Sequence, residues 1–346
     1  MSLASALKAS DVTLLPSKRD EDWKWTDLRG LLRVLPPPSQ PFVGEAPVGP
    51  FAGLANLPIH VVNASDPVVI RSASAAPYVV ALHFAALGGG SHSATAQIEV
   101  AEGANLILLE SYEGDEADYV ANLDLKISVG ANGRLERIIL AADGVNAVSV
   151  STADVTLGAG AQLVQTVLTD GARRQRIETR VAHPGAGASV RLDAAYLLAD
   201  KRHADLTTVV EHQGVDGTTS QLTKGVVRDQ SRGVFQGRIV VAEGADRTDA
   251  RMGHHALILS DKAEIDAKPE LLIFADDVQC AHGNTIGAFD EDALFYAQQR
   301  GMPEEVARSL LTEAFVGEVI DRIEHDGARE VAKAWAAKGL GLDHGL

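Results

Sequence analysis

A Gly-Ala dipeptide recurs at Gly103-Ala104, Gly130-Ala131, Gly158-Ala159 and Gly185-Ala186, in steps of 27, 28 and 27 residues. The turns follow short apolar alternations, Ile98-Glu-Val100, Ile127-Ser-Val129 and Val155-Thr-Leu157, and precede further apolar runs, as at Leu106-Ile-Leu-Leu109, Leu135 and Leu163. Period-2 alternation marks a strand with one buried face. A fixed period in this range implies coils that bury their inner faces only by stacking on their neighbours. At roughly 3.3 Å per residue such a coil holds several short strands and their corners, so the expected fold is mainly β, a β-helix or β-solenoid. A two-sheet sandwich also spaces strands evenly, but several near-equal successive steps favour the solenoid.

The flanks have a different texture. Residues 1–35 are rich in helix formers, and Trp23, Trp25, Leu28, Leu31 and Leu32 are spaced for one helical face. Residues 36–54, with Pro36, Pro37, Pro38, Pro41, Pro47 and Pro50, read as an extended linker that no helix can cross. Residues 55–287 form the expected β-helix core, with a further turn of the same type at Glu243-Gly244-Ala245. Residues 288–346 read as helical: Asp290 as an N-cap, Gly301 as a stop, and Pro303-Glu304-Glu305 as a new start. The second helix carries Ala307, Leu310, Leu311, Ala314, Phe315, Val319 and Ile323 on one wide apolar face, and a third short helix covers Glu330 to Trp335. These terminal helices are expected either to cap the solenoid's open ends or to dock a partner.

With 346 residues and 46% hydrophobic content the chain is long enough for more than one domain. Its net charge of -16 argues against nucleic acid or an anionic membrane as the main partner, because both attract basic patches. No apolar run reaches the roughly 20 residues that span a bilayer, and Met1-Ser-Leu-Ala-Ser-Ala-Leu-Lys8 lacks a secretion pattern. A cytoplasmic location is therefore expected. A single cysteine excludes an internal disulfide and any cluster held by four cysteines of this chain. No Gly-rich loop ending in Lys-Ser or Lys-Thr is present to cradle phosphates.

That cysteine lies in Phe274-Ala-Asp-Asp-Val-Gln-Cys280-Ala-His282-Gly-Asn-Thr-Ile-Gly287. In an extended strand Asp276, Val278, Cys280 and His282 project to one face, which sets a thiol beside an imidazole. Such a pair can hold a thiolate, carry sulfur or supply two metal ligands, too few to close a tetrahedral site. The remaining ligands must then come from elsewhere, another chain included. The plainer reading is a small buried thiol and a histidine satisfied by hydrogen bonds. Other clusters are weaker: His254 and His255 cannot share a strand face, His203 and Asp205 lack a third ligand, and Asp276 and Asp277 diverge. Trp23 and Trp25 are expected to anchor the N-terminal helix.

The run Lys268–Gly287, with Leu294-Phe-Tyr296 and Arg300-Gly301 after it, resembles the SufB/SufD family of iron-sulfur cluster assembly proteins. The likeness extends to Asp22-Trp-Lys-Trp-Thr26, Glu110-Ser-Tyr112, Ser220-Gln-Leu-Thr-Lys224-Gly, Gly233–Val240 and Thr248-Asp-Ala250. Cys-Ala-His-Gly, the modest length and the lone cysteine resemble the SufD branch. The chain departs from the family pattern at Gln236, usually asparagine, at Asn284, usually alanine, and at Gln299, usually serine.

The resemblance implies a non-catalytic scaffold of the SUF system with a β-helical core. It implies pairing with SufB, and docking of the ABC-type ATPase SufC on the C-terminal helices, here at Leu310, Leu311, Phe315 and Val319. Cys280 and His282 match positions facing SufB, where a nascent iron-sulfur cluster would be held transiently and shared, His282 as a ligand or as the base that keeps Cys280 ionised. A homodimer of the isolated chain stays open. The alternatives from other classes are a β-helical enzyme acting on polysaccharide and a cofactor-free structural solenoid.

Overall fold

A computed structural model of the chain describes residues 1–63, 67–288 and 290–341. Residue 289 and residues 342–346 of the expected C-terminal segment lie outside the described residues. Seventeen strands are present among them, and every strand pairs with the one two places on in sequence. The odd strands form one parallel sheet: β1 (Leu57–Val62), β3 (Tyr78–Ala86), β5 (Asn105–Gly114), β7 (Arg134–Ala142), β9 (Gln162–Thr169), β11 (Ser189–Leu198), β13 (Thr218–Val227), β15 (Thr248–Ile258) and β17 (Val278–Gly287). The even strands form the other: β2 (Val68–Ser72), β4 (Gly90–Val100), β6 (Tyr119–Val129), β8 (Val148–Leu157), β10 (Arg174–His183), β12 (His203–His212), β14 (Arg232–Val241) and β16 (Glu264–Ile273). The chain is a flattened β-solenoid of two faces, as the periodicity implied.

Its corners explain the repeat and correct its register. Gly103, Asn132, Gly160, Gly187, Asp216 and Arg247 all adopt left-handed backbone, φ 53–70°, at equivalent corner positions 29, 28, 27, 29 and 31 residues apart. Each donates its backbone N–H to a carbonyl of the next coil, as Asn132 does to Ala159 at 2.8 Å. Gly130, Gly158 and Gly185 stand two residues earlier, and their glycine character has a separate cause. A Cβ at Gly185 would lie 2.3 Å from the Ala159 nitrogen of the coil below, so only glycine lets the coils stack there. Gly103 occupies the left-handed position itself. The first Gly-Ala pair is therefore not equivalent to the other three, and coil length varies more than the sequence repeat suggests.

One apolar core fills the space between the sheets, from Val61 and Ile70 through Leu108, Ile127, Val155 and Leu192 to Val227. The terminal segments cover the outer faces of the sheets, and neither caps an end. Helix α4 (Glu304–Ile320), helix α5 (Asp326–Gly339) and the turn between them lay Val316, Val319, Ile320, Ile323, Ala328, Ala332 and Ala336 against Leu109, Ile138, Leu140, Leu168 and Leu197 of the odd-strand sheet. Helix α3 (Glu291–Gln299) precedes them, its first turn capped by Asp290, which accepts the N–H groups of Asp292 and Ala293, and Gly301 follows in left-handed backbone.

At the other terminus only Leu3–Ala9 (α1) and Leu28–Leu31 (α2) are α-helical. The extended helical face expected from Trp23 to Leu32 gives way to tertiary anchoring on the even-strand sheet. Trp23 lies over the Arg176 guanidinium at 4.2 Å, and Thr26 donates its hydroxyl proton to Asp205. Arg238 and Lys268 reach Asp22 and Glu21 at 2.9 Å each. The segment thus straps four successive coils, β10, β12, β14 and β16, which a solenoid otherwise couples only as nearest neighbours.

Candidate functional site

The two ends of the solenoid differ. At the N-terminal end β1 has six residues and β2 five, and the Pro-rich stretch lies along the half of β4 that β2 does not pair with: the Ser39 backbone N–H donates to the Ser91 carbonyl at 2.9 Å and that of Ser91 to the Pro37 carbonyl at 2.8 Å. Short strands and proline blunt that edge. At the C-terminal end β16 and β17 each run ten residues, and no described strand pairs with their outer edges. Ile273, Phe274 and Ile286 are left exposed there.

Cys280 and His282 lie on this last strand. Parallel register sets Cys280 beside Ala250, His282 beside Met252, Asn284 beside His254 and Ile286 beside Ala256. All four β15 neighbours are buried, so this column of β17 faces the solenoid interior, at its open mouth. Cys280 is half-buried against the cluster of Phe235, Ile239 and Met252, whereas His282 is exposed. Asp276 does not join them, because it and Asp277 form the bend between β16 and β17.

Burial pushes the Cys280 thiol up, a hydrogen bond with the Ala250 backbone pulls it part of the way down, and the Asp249 carboxylate pushes it up again. His282 is not among the groups acting on it. In the isolated chain the thiol is protonated at neutral pH, and ionising it calls for an added cation or metal, not the neighbouring imidazole. Among the described residues no three His, Cys, Asp or Glu side chains converge as a metal site.

The four helix residues expected to dock a partner fall in different settings. Val319 is fully buried in the seam against the sheet, so its side chain belongs to the fold and offers no surface. Phe315 is half-buried there, beneath the Lys224 ammonium at 4.4 Å. Leu311 is partly exposed and Leu310 exposed. Phe295, Tyr296 and Val306, which the helical pattern did not single out, are exposed as well and extend this apolar strip over α3 and α4.

The sequence reading also missed a hydrogen-bonded file that ends at the mouth. The Tyr196 hydroxyl meets His254 Nε2 at 2.9 Å, and His254 Nδ1 meets Asn284 Oδ1 at 2.8 Å. Phe235, from the opposite sheet, stacks on the His254 ring at 4.8 Å. Burial drives His254 down to about 4, so the imidazole is neutral. The signal that would have found this file is the register of coils 30 or so residues long, beyond the 27–28 spacing of the Gly-Ala repeat.

Comparison with known proteins gives this geometry its context. Residues 85–315 match the SUF system FeS cluster assembly SufBD core domain. The chain is 30% identical over 234 residues to the iron-sulfur cluster assembly protein SufD of Escherichia coli, covering 67% of this chain and 55% of that one. It is 30% identical over 229 residues to an iron-sulfur cluster assembly SufBD family protein of Synechocystis, covering 66% and 51%. To a SufBD family protein of Mycobacterium leprae it is 28% identical over 242 residues, covering 68% and 61%. The chain thus spans between about half and about three fifths of the length of these relatives. From the core match through the solenoid and into α4, and from the identity to a SufD, it follows that the chain belongs to the SufBD family of SUF iron-sulfur cluster assembly proteins and is SufD-like within it.

Proposed function

We propose that this chain is a SufD-like, non-catalytic scaffold subunit that pairs through β16 and β17 with a SufB chain. Cys280 and His282 then supply part of an interfacial site for a nascent iron-sulfur cluster, the transient cargo, while SufB supplies the other ligands. The observation that carries this reading is the asymmetry of the two ends. One edge is blunted by short strands and proline, and the other presents two ten-residue strands with an apolar interior open between them. A long unprotected edge is a template for another chain. Pairing there would also bring the added ligands or cations that Cys280 needs in order to ionise. The polysaccharide-enzyme alternative gains nothing from the groove along the odd-strand sheet, whose acids Asp249 and Glu324 are paired with Arg251 and Arg191 at 3.1 and 3.0 Å.

Ile286→Lys sets a charge where the partner's core would close over the mouth. Burying an uncompensated charge costs about 3–5 kcal/mol, so pairing with SufB, followed by size exclusion and titration, is expected to weaken by a factor on the order of 100 or more. Cys280→Ala and His282→Ala should leave pairing intact but lower cluster absorbance after anaerobic loading with iron and sulfide by about tenfold. Full loading of both variants would remove Cys280 and His282 from the site.

The same proposal has the ABC-type ATPase SufC dock on the strip formed by Phe295, Tyr296, Val306, Leu310 and Leu311, with Phe315 at its margin. Leu310→Asp is expected to weaken co-purification of SufC by about tenfold while leaving the circular dichroism unchanged. Val319→Asp should instead disrupt the seam of α4 with the sheet. Undiminished SufC binding by Leu310→Asp would place the docking surface elsewhere.

A further inference from the structure

The Tyr196–His254–Asn284 file runs from the core to the edge strand, and the balance of donors and acceptors along it permits one arrangement. The Tyr196 ring is fully buried, and among the described residues its hydroxyl contacts no hydrogen-bonding group except His254. Were the hydroxyl to accept from His254 Nε2–H, its own proton would be a buried donor without an acceptor. Tyr196 therefore donates to Nε2. A neutral imidazole that accepts at Nε2 carries its proton on Nδ1, and Nδ1–H in turn requires an oxygen from Asn284. The carboxamide of Asn284 is thus turned with Oδ1 inward at 2.8 Å and its NH2 group away from the core.

Several features hold the file in place. Tyr196, on β11, reaches across β13 to β15 because Gly225 lies beneath its ring: a Cβ there would come within 1.9 Å of the ring. Phe235 fixes the plane of the imidazole from the other side, the two rings 7° from parallel. Asn284 follows His282 by two residues on β17, so the two share a face with Cys280. Its Nδ2 has no acceptor among the described residues.

We propose that Asn284 is a positioning residue of the interfacial site, whose side-chain N–H groups are aimed by the buried Tyr196–His254 pair to donate to an anionic sulfur or carboxylate brought to the mouth by the paired chain. The inference rests on the pairing proposed above and adds a residue that the sequence showed only as a departure from the family pattern. Hydrogen bonds to cluster sulfurs raise the reduction potential, so the donor tunes the cargo without ligating it.

The test has two arms. In the isolated chain, ¹⁵N NMR of the histidine rings should find His254 as the Nδ1–H tautomer, and Tyr196→Phe should shift it toward Nε2–H. An Nε2–H tautomer in the native chain would overturn the orientation of Asn284 whatever becomes of pairing. In the complex with SufB loaded with iron and sulfide, Asn284→Ala and Asn284→Asp should keep pairing and loading but lower the midpoint potential, and Asn284→Gln should restore part of the shift. Potentials unchanged in both variants would remove the donor role. Loading undiminished in Cys280→Ala and His282→Ala would instead count against the interfacial site itself, so the two failures are separable.

Discussion

Acidification from pH 7 to about pH 4.5 is expected to destabilise the fold through imidazoles that it buries neutral. Burial lowers His183, His203 and His254 to about 4 and His212 to about 3, from 6.5. Above 6.5 neither state is protonated and the four contribute no pH dependence. Below it the unfolded chain takes up protons that the folded chain refuses until about pH 4, so stability falls as pH falls, by as much as ~1.4 kcal/mol per pH unit for each site. The corner pair is the least accommodating. The His183 and His212 rings meet edge to face at 4.1 Å between centroids, and both His183 nitrogens lack hydrogen-bond partners among the described residues, so a charge there would be poorly accommodated.

Three carboxyls act in the opposite sense, Asp143 and Asp193 buried and Asp170 partly exposed. Burial raises Asp170 and Asp193 to about 6 and raises Asp143 as well, so the folded chain holds protons that the unfolded chain releases down to 3.8. These groups gain stability as pH falls through about 6. The four imidazoles outnumber these carboxyls, and burial lowers His92 and His255 as well, so the balance around pH 5 is a net loss of stability on acidification. Urea midpoints measured at half-unit steps from pH 7 to 4.5 should therefore decline, and His183→Leu should flatten the decline by about one proton. A midpoint that held steady or rose would mean the aspartates dominate.

The architecture was legible because a solenoid writes its period into its corners. Residues such as Gly158 and Gly185 are constrained by the backbone of the coil below, and that constraint is local enough to survive in sequence. The register was less legible. Asn132, Asp216 and Arg247 fill the same left-handed corner as Gly103 and Gly160, so residue type alone does not mark the position. Helix existence in 290–341 followed from caps and prolines, but which face was free did not: Val319 and Leu310 look alike in a helical pattern, and only the packing on β11 and β13 separates them. At the mouth, alternation placed Cys280 and His282 on one face. It could not pair Asn284 with His254, because that contact depends on a coil length set by the corner after β15.

The largest single loss of stability is expected from Arg137→Ala. Arg137 lies on the inner face of β7 between the core residues Leu135 and Ile139, with 1% of its surface exposed. Its Nε donates to Glu110 at 2.5 Å and its Nη1 to Gln165 at 2.8 Å. Tyr112 donates to the same Glu110 carboxylate, and Gln165 reaches Thr179 of the opposite sheet at 3.1 Å. Burial alone weakens the guanidinium's hold on its proton. The charge of Glu110, with Tyr112 and the hydrogen bonds to both, outweighs that and raises Arg137 above its ordinary value. Removing Arg137 strands Glu110, which has no exposure at all, as an unpaired charge inside the solenoid. The expected cost is about 3–5 kcal/mol, a large part of the 5–15 kcal/mol that typically holds a domain. Replacing both partners by apolar residues, Glu110→Leu with Arg137→Met, removes the charge and its desolvation together, and should recover most of the loss. Urea denaturation of the single and double variants decides the matter. A double variant as unstable as Arg137→Ala would show that the pair contributes more than the cost of burying it. A recovered double variant that still loads a cluster with SufB would assign this interior network to the fold and leave the chemistry to the mouth.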